Sequence, residues 1–217
     1  MKNALIAGAS GLTGTELLKL LLASPEYLNV YSLVRKPIGI THSKLKEIIF
    51  DFDHPETSLN SLTGIHDVFC CLGSTIKKAG SKEVFKKIDY QYPLDLACWS
   101  EKNGVRYFAC ISAMGADSKS SVFYSKVKGE METTIGKLNI PSIYFFRPSL
   151  LMGERKENRS GEKTAIYLMK FIAPVMRGPL LNYKGIHVRK VAQAMISSAS
   201  NPETGVTVVL SGKMQGC

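Results

Sequence analysis

The sequence has no long apolar stretch, few histidines and no regular cysteine pattern. It contains no run of about 18 uncharged apolar residues, so we expect no membrane-spanning helix. Its four histidines lack the spacing of metal ligands, so we expect no bound metal. The five cysteines are odd in number, and Cys70 and Cys71 are adjacent, which fits neither a disulfide framework nor a zinc site.

The start of the chain also lacks the pattern of a signal peptide. In "MKNALIAGASG" a glycine-rich segment arrives too early for an apolar core and a cleavage site. Together with the cysteine pattern, this predicts a reducing, cytoplasmic location. The net charge of +10 favours anionic partners, and nucleotide phosphates, nucleic acid and an anionic membrane surface all remain open at this point.

Short apolar strands alternate with helical segments along most of the 217 residues, a length typical of one α/β domain. Strands are predicted at residues 3–8, 29–34, 46–52, 66–73, 105–112, 141–148 and 205–212. Helices are predicted at residues 15–24, 92–103, 164–176 and 189–199, and around Tyr124. Because parallel strands need crossover connections, this order predicts an open, doubly wound parallel sheet. We expect a single domain, 1–217, with a nucleotide-binding core at 1–148 and a small appended substrate-side region at 149–217.

The first strand runs into the glycine-rich segment "GASGLTG", and a helix follows directly. Gly8, Gly11 and Gly14 allow a tight turn and a close approach of the backbone to a pyrophosphate. The N–H groups expected to face the phosphates belong to Ser10, Gly11, Leu12 and Thr13. The strand before and the helix after give this short motif its context, and the alternative is a tight turn that binds nothing.

The second strand ends in "LVRKP", which bears on the choice of cofactor. Dinucleotide-binding domains that prefer NAD carry an acidic residue about here, for the ribose hydroxyls. Arg35 and Lys36 stand there instead, which favours the 2′-phosphate of NADP(H) over NAD(H). The alternative is two solvated basic residues in a loop.

The chain resembles a known family in the segments "GASGLTG", "RK", "DFD", "CCLGS", "ISAMGAD", "YSKVK" and "FFRPSLLMGER", which are spread over most of its length. These are similar to the atypical short-chain dehydrogenases/reductases, and more narrowly to the Tat-interacting-protein-like, metastasis-suppressor-related subgroup. The resemblance implies a Rossmann fold, NADP(H) binding and a catalytic set formed by Ser112, Tyr124 and Lys128.

The implied set suits the reduction of a small carbonyl compound or the reverse oxidation of an alcohol. Tyr124 would donate the proton, and the Lys128 ammonium one helical turn away would lower the tyrosine pKa from about 10 towards neutrality. Ser112 would polarise the carbonyl. In "KIDYQYP", Asp89 stands where many family members have a relay asparagine. An oxidoreductase and an NADP(H)-binding regulator with little turnover are therefore both hypotheses.

Position within the family pattern implies further cofactor contacts. The segments that would flank the adenine, the ribose and the nicotinamide contribute Asp51, Phe52, Leu72, Gly73, Pro148, Leu150 and Leu151. Arg155 and Arg159 lie in a basic loop that would close on phosphate or substrate, and a solvated loop is the alternative.

Two further features support weaker hypotheses. Five lysines, at positions 77, 78, 82, 86 and 87, suggest nucleic-acid binding as a third hypothesis, but no interleaved aromatics or binding motif supports it. The apolar helix predicted at 164–176 is expected to pack in the core. A homodimer or other protein contact and a membrane surface are its alternatives.

Overall fold

Seven parallel strands form the central sheet of the computed structural model, which describes residues 1–55, 59, 62–153 and 178–217. The described residues contain nine strands, seven of which form this sheet: β1 (Lys2–Ala7), β2 (Tyr27–Val34), β3 (Leu45–Ile49), β4 (Asp67–Cys70), β5 (Tyr107–Ile111), β6 (Ser142–Arg147), β7 (Leu151–Met152), β8 (Ile186–His187) and β9 (Gly205–Leu210). The sheet order is β3-β2-β1-β4-β5-β6-β9, while β7 and β8 form a separate parallel pair. The predicted Rossmann-type, doubly wound parallel sheet is confirmed.

The helices connect these strands on the two faces of the sheet. They are α1 (Leu12–Ala23), α2 (Ile76–Ala79), α3 (Lys82–Lys86), α4 (Tyr92–Lys102), α5 (Phe123–Ile135), α6 (Val188–Ser200) and α7 (Ser211–Met214). A single π-helical turn, Lys87–Gln91, joins α3 to α4. No helix within the described ranges is long and apolar enough to cross a bilayer.

Neighbouring residues of β1 point into two different cores. Ala4 and Ile6 pack in the core that holds α1 and α6, whereas Leu5 and Ala7 pack in the core that holds α4 and α5. All four side chains are fully buried. Because both faces of this part of the strand are covered, the sequence from Ala4 to Ala7 is a continuous apolar run and does not alternate with polar residues.

The chain after β8 returns to the main sheet. Strand β9 pairs with β6 in parallel, and α6 packs against α1. Of the region predicted to be appended at 149–217, this helix and strand therefore belong to the sheet layers, while β7 and β8 lie outside the main sheet. The helix predicted at 164–176 falls outside the described residues.

Candidate active site

The turn between β1 and α1 requires glycine at two positions. Gly8 has a φ of +87°, and a Cβ there would lie 2.7 Å from the carbonyl group of Cys71 at the end of β4. A Cβ on Gly14 would lie 2.1 Å from the carbonyl oxygen of Gly8. The turn thus brings the start of α1 against the carboxyl ends of β1 and β4.

Helix α1 begins at Leu12 with no side-chain cap on Gly11 and no acidic residue in its first turn. The first N–H groups of a helix have no partner within the helix, and the helix dipole favours an anion beside them. Ser10 and Thr13, also predicted to contact phosphate, are exposed and buried respectively. The N-terminus of α1 is therefore suited to bind a phosphate group.

The loop after β4 lies over a buried carboxylate. The Ser74 N–H donates to Asp89 Oδ2 at 2.8 Å. A Cβ on Gly73 would come within 3.3 Å of Asp89 Oδ1. Leu72 and Gly73 were predicted to lie along the ribose and the nicotinamide, and the loop that contains them packs against Asp89.

Asp89 and Lys128 form a buried ion pair at 2.8 Å, between Oδ1 and Nζ, with side chains only 1% and 3% exposed. Burial by itself lowers the pKa of Lys128, but the negative charge of Asp89 and the nearby Tyr124 outweigh it and hold that pKa above its ordinary value. Asp89 belongs to the π-helical turn Lys87–Gln91, and such turns occur often at functional sites.

Tyr124 lies in the first turn of α5, four residues before Lys128, and is half-buried. Its ring packs against Phe85 with the ring centroids 5.4 Å apart. Ser112 follows β5, and its side-chain oxygen is buried with no hydrogen-bond partner among the described residues. A buried, unpartnered hydroxyl is uncommon and is suited to bind a ligand oxygen.

Gly129, inside α5, has a packing role that was not predicted from the sequence. A Cβ there would lie 2.1 Å from the Ser118 nitrogen and 2.2 Å from the Asp117 carbonyl carbon. The Asp117 N–H also donates to the Ser125 carbonyl at 3.1 Å. Because glycine inside a helix costs about 1 kcal/mol relative to alanine, its presence in "YSKVKGE" was a usable signal of close packing.

The predicted adenine-side residues follow β2 and β3. Arg35 and Lys36 are exposed directly after β2. Asp51 is exposed, accepts a hydrogen bond from its own loop at the Asp53 N–H (2.9 Å), and lies 3.0 Å from the His54 ring nitrogen. Its carboxylate is thus engaged within its own loop.

Phe52 is half-buried and forms part of an aromatic group beside that loop. Its ring centroid lies 5.3 Å from that of Tyr92 and 4.7 Å from that of Phe50. Burial and a hydrogen bond to Asp53 raise the pKa of Tyr92 to about 12, while Arg35 acts in the opposite direction. Arg35 is therefore close enough to this group to affect it electrostatically.

The segment after β6 lies beside the start of α1. The carbonyls of Pro148 and Leu150 accept from Met114 N–H (3.1 Å) and Ile186 N–H (2.9 Å), and Leu151 belongs to β7. A Cβ on Gly153 would approach the Leu12 side chain at 3.4 Å. Arg155 and Arg159 fall outside the described residues.

An ion pair that the sequence reading missed fixes β6 to α5. Arg147 donates two hydrogen bonds to Glu132, at 2.9 and 2.5 Å. The hydrogen bond to Glu132 raises the pKa of Arg147. The pair holds the strand that leads into Pro148 against the helix that carries Tyr124 and Lys128.

Comparison with known proteins agrees with the fold. A family model described as NAD(P)H-binding matches residues 8–136. The protein HTATIP2 of Rattus norvegicus is 32% identical over 216 residues, which is 98% of this chain and 87% of that protein. The protein "FMP52, mitochondrial" of Candida albicans is 36% identical over 157 residues, covering 70% of this chain and 69% of that protein.

Solved structures with little sequence identity share the fold. The enzyme WbmG of Bordetella bronchiseptica, in complex with NAD, superimposes with a TM-score of 0.70 at 14% identity. The match covers 97% of this chain and 73% of that one. At this identity the likeness concerns the fold alone.

Proposed function

This chain belongs to the NAD(P)H-binding family, with an HTATIP2 relative along nearly its whole length, and from that premise we propose that it is an NADP(H)-dependent oxidoreductase. Its substrate would be a small carbonyl compound or the corresponding alcohol. The expected relationship to the Tat-interacting-protein-like proteins is confirmed. The substrate, the catalytic set and the choice of NADP over NAD are our proposals.

The residues of the turn fit a dinucleotide. Side chains at Gly8 and Gly14 would clash with the surrounding backbone. Because both residues are glycines, the turn can close tightly and leave the first N–H groups of α1 accessible to a phosphate. Arg35 and Lys36 would bind the 2′-phosphate, which supports NADP(H) over NAD(H). Leu72 and Gly73 would lie along the ribose and the nicotinamide.

The catalytic proposal concerns how the proton is handled. When bound, NADPH supplies hydride to the carbonyl carbon. The Tyr124 hydroxyl gives its proton to the carbonyl oxygen, so one carbonyl compound, one NADPH and one proton yield one alcohol and one NADP⁺. Ser112 donates a hydrogen bond to the same oxygen, and the Lys128 ammonium stabilises the tyrosinate until a proton returns from solvent.

The observation that carries this proposal is the placement of Lys128. Its ammonium is buried one helical turn from Tyr124, and the Ser112 hydroxyl, which has no hydrogen-bond partner among the described residues, directly follows β5. A buried charge is costly unless it is paired, and its presence at the predicted catalytic position supports an electrostatic role.

The direct experiment is a panel of aldehydes and ketones with NADPH, comparing wild type with Tyr124→Phe. We expect the substitution to lower kcat/KM at least about a hundredfold, because the proton donor is removed. Tyr183→Phe, at an exposed tyrosine, is the matched control and should keep the wild-type rate. Equal rates for Tyr124→Phe and wild type would remove Tyr124 as the donor.

The Asp89 pairing favours a second candidate, an NADP(H)-binding regulator with little turnover. A carboxylate 2.8 Å from Lys128 balances the charge that would otherwise lower the Tyr124 pKa. Asp89→Asn distinguishes the two. Loss of turnover would support a relay through Asp89, whereas a wild type that binds NADPH without turnover and a variant that gains it would support the regulator.

Location and assembly also stay proposals. We propose the cytoplasm, as the sequence predicts, although the Candida albicans relative is named as mitochondrial. Fractionation of the native cells with an antibody to this chain tests it, and enrichment with mitochondria would contradict it. Light scattering with and without NADPH tests whether the chain forms a homodimer.

A further inference from the structure

Three segments beside the candidate catalytic centre each bring an exposed lysine. They are Lys77 in α2, Lys82 in α3 and Lys119 in the loop before α5. We refer to these three lysines as the basic rim. The first two segments follow β4 and the third follows β5, so all three leave the sheet at the edge where ligands bind in open parallel sheets.

Side-chain packing places α3 next to Tyr124. Phe85 is the fully buried residue of α3, and its ring centroid lies 5.9 Å from that of Phe123 and 5.4 Å from that of Tyr124. The Lys82 ammonium stands 5.2 Å from the centroid of the Phe123 ring. Lys82 therefore lies against the residue that directly precedes Tyr124.

The other two lysines are held by anchored backbone. Lys77 follows Ser74, whose N–H donates to Asp89, so α2 begins at the buried ion pair. The Lys119 N–H donates to Asp117 Oδ1 at 2.9 Å. The Asp117 N–H donates to the carbonyl of Ser125, the residue after Tyr124, so this loop is held against the first turns of α5.

Two carboxylates lie close to the rim without pairing with its ammonium groups: Glu83 interacts electrostatically with Lys82, and Asp117 accepts a hydrogen bond from the Lys119 N–H. Lys86 pairs with Glu130 at 3.7 Å and Lys87 pairs with Asp53 at 2.8 Å, so these two lysines of the same region are neutralised. In the part of the chain that the structure describes, no carboxylate forms an ion pair with a rim lysine.

Exposed aliphatic side chains lie in the same segments. Ile76, Val84 and Val122 are 37%, 43% and 59% exposed. Val122 directly precedes α5, and Val84 directly precedes the buried Phe85. The surface beside Tyr124 therefore combines positive charge with apolar area.

We propose that the substrate is an aliphatic carbonyl compound that carries a carboxylate or another anionic group, bound by the basic rim. This inference rests on the proposed oxidoreductase function and names its substrate class. Lysine ammonium groups around a cleft attract anions and raise their local concentration. In the reaction the carbonyl takes up the hydride and the proton, and the anionic group remains unchanged.

The test compares carbonyl substrates of equal length with and without a carboxylate. Suitable pairs are succinic semialdehyde with butanal, and the half-aldehyde of azelaic acid with nonanal. We expect kcat/KM to be at least about tenfold higher for the acid of each pair at low salt. This advantage should shrink at about 0.5 M NaCl, because salt screens exposed charges.

Two variants of equal net charge separate the rim from the overall charge. The rim variant is Lys77→Gln/Lys82→Gln/Lys119→Gln. The control variant is Lys46→Gln/Lys102→Gln/Lys137→Gln, which changes exposed lysines in β3, at the last residue of α4 and just after the end of α5. The rim variant should lose the preference for the acids while keeping its rate with the neutral aldehydes, and the control variant should keep the preference.

A binding measurement keeps this inference separate from turnover. Calorimetry of the NADP⁺-saturated protein should show octanoate binding at least about tenfold more tightly than octanamide, and the rim variant should abolish the difference. If octanoate is preferred but no aldehyde is reduced, the rim inference stands and the oxidoreductase function fails. If aldehydes are reduced without preference for acids, the function stands and the rim inference is wrong.

Discussion

The ammonium of Lys128 lies 2.8 Å from the carboxylate of Asp89, and almost no solvent reaches either side chain. Lys19 and Glu16 form a comparable pair at 2.6 Å on the surface of α1, where the lysine side chain is 62% exposed. The two pairs have similar distances and differ mainly in burial. Surface pairs contribute little to stability, whereas removing one partner of a buried pair leaves an uncompensated charge.

We predict strong energetic coupling between Asp89 and Lys128. Asp89→Asn and Lys128→Met should each lower the free energy of unfolding by about 3–5 kcal/mol, and the double variant should lose much less than the sum. Urea unfolding of the four proteins measures the coupling. The matched cycle of Glu16→Gln and Lys19→Met should give less than about 1 kcal/mol. Equal coupling in both cycles would show that burial of the Asp89 pair has no energetic consequence.

The raised pKa of Lys128 predicts a loss of stability in alkali. Its pKa in the folded protein lies above the ordinary value of 10.5, so the stabilisation is complete below that pH. As the pH rises further, the unfolded chain releases the proton first, and stability falls by about 1.4 kcal/mol per pH unit. Burial also raises the pKa of Tyr27 and Tyr107, which adds a similar loss.

The comparison with Asp89→Leu/Lys128→Met isolates the contribution of the ion pair. Both tyrosines remain in this variant, so its stability should fall less steeply than that of wild type above about pH 10.5. Urea unfolding at several alkaline pH values measures the two slopes. Parallel slopes would contradict a raised pKa for Lys128.

Gly14→Ala should weaken NADPH binding at least about tenfold. The added Cβ would meet the Gly8 carbonyl oxygen, which is part of the turn and cannot move without opening it. Gly216→Ala is the control, since Gly216 has no positive φ and a Cβ there would meet only the Lys213 carbonyl oxygen, at an ordinary contact distance of 3.7 Å. Fluorescence titration with NADPH measures both. Unchanged affinity in Gly14→Ala would mean that the turn does not hold the cofactor.

Arg35→Ser/Lys36→Ser should reduce affinity for NADPH about tenfold or more and leave affinity for NADH unchanged. The 2′-phosphate is present only in NADP(H), and basic side chains are its expected partners. The control is Lys44→Ser/Lys46→Ser, which also removes two positive charges, one in β3 and one directly before it. A wild type that binds NADH as tightly as NADPH would exclude the specificity that we propose.

The sheet and the glycine turn could be predicted from the sequence because each leaves a pattern within a few consecutive residues. The apolar run of β1 is continuous because both its faces are buried, and the turn containing Gly8 follows it immediately. Tyr124 and Lys128 were predicted to share a helix face, and they do, because four residues make about one turn.

Other features of the site depend on contacts that local patterns do not encode. Asp89 and Lys128 are separated by all of α4, all of β5, the following loop and the first turn of α5, so their pairing follows from the fold. Helices α2 and α3 have four and five residues, too few to show helical periodicity. Thr75 and Ser81 cap them, and those two residues were the available signal.

The contact at Gly129 also bears on how the chain can diverge. The atoms that approach the glycine belong to the backbone of Asp117 and Ser118. Any residue at those two positions would therefore require a glycine at position 129. Their side chains, and those of the loop that follows, are released from that constraint. Variation in this loop can therefore alter the surface presented to a substrate while the helix that carries Tyr124 and Lys128 remains unchanged.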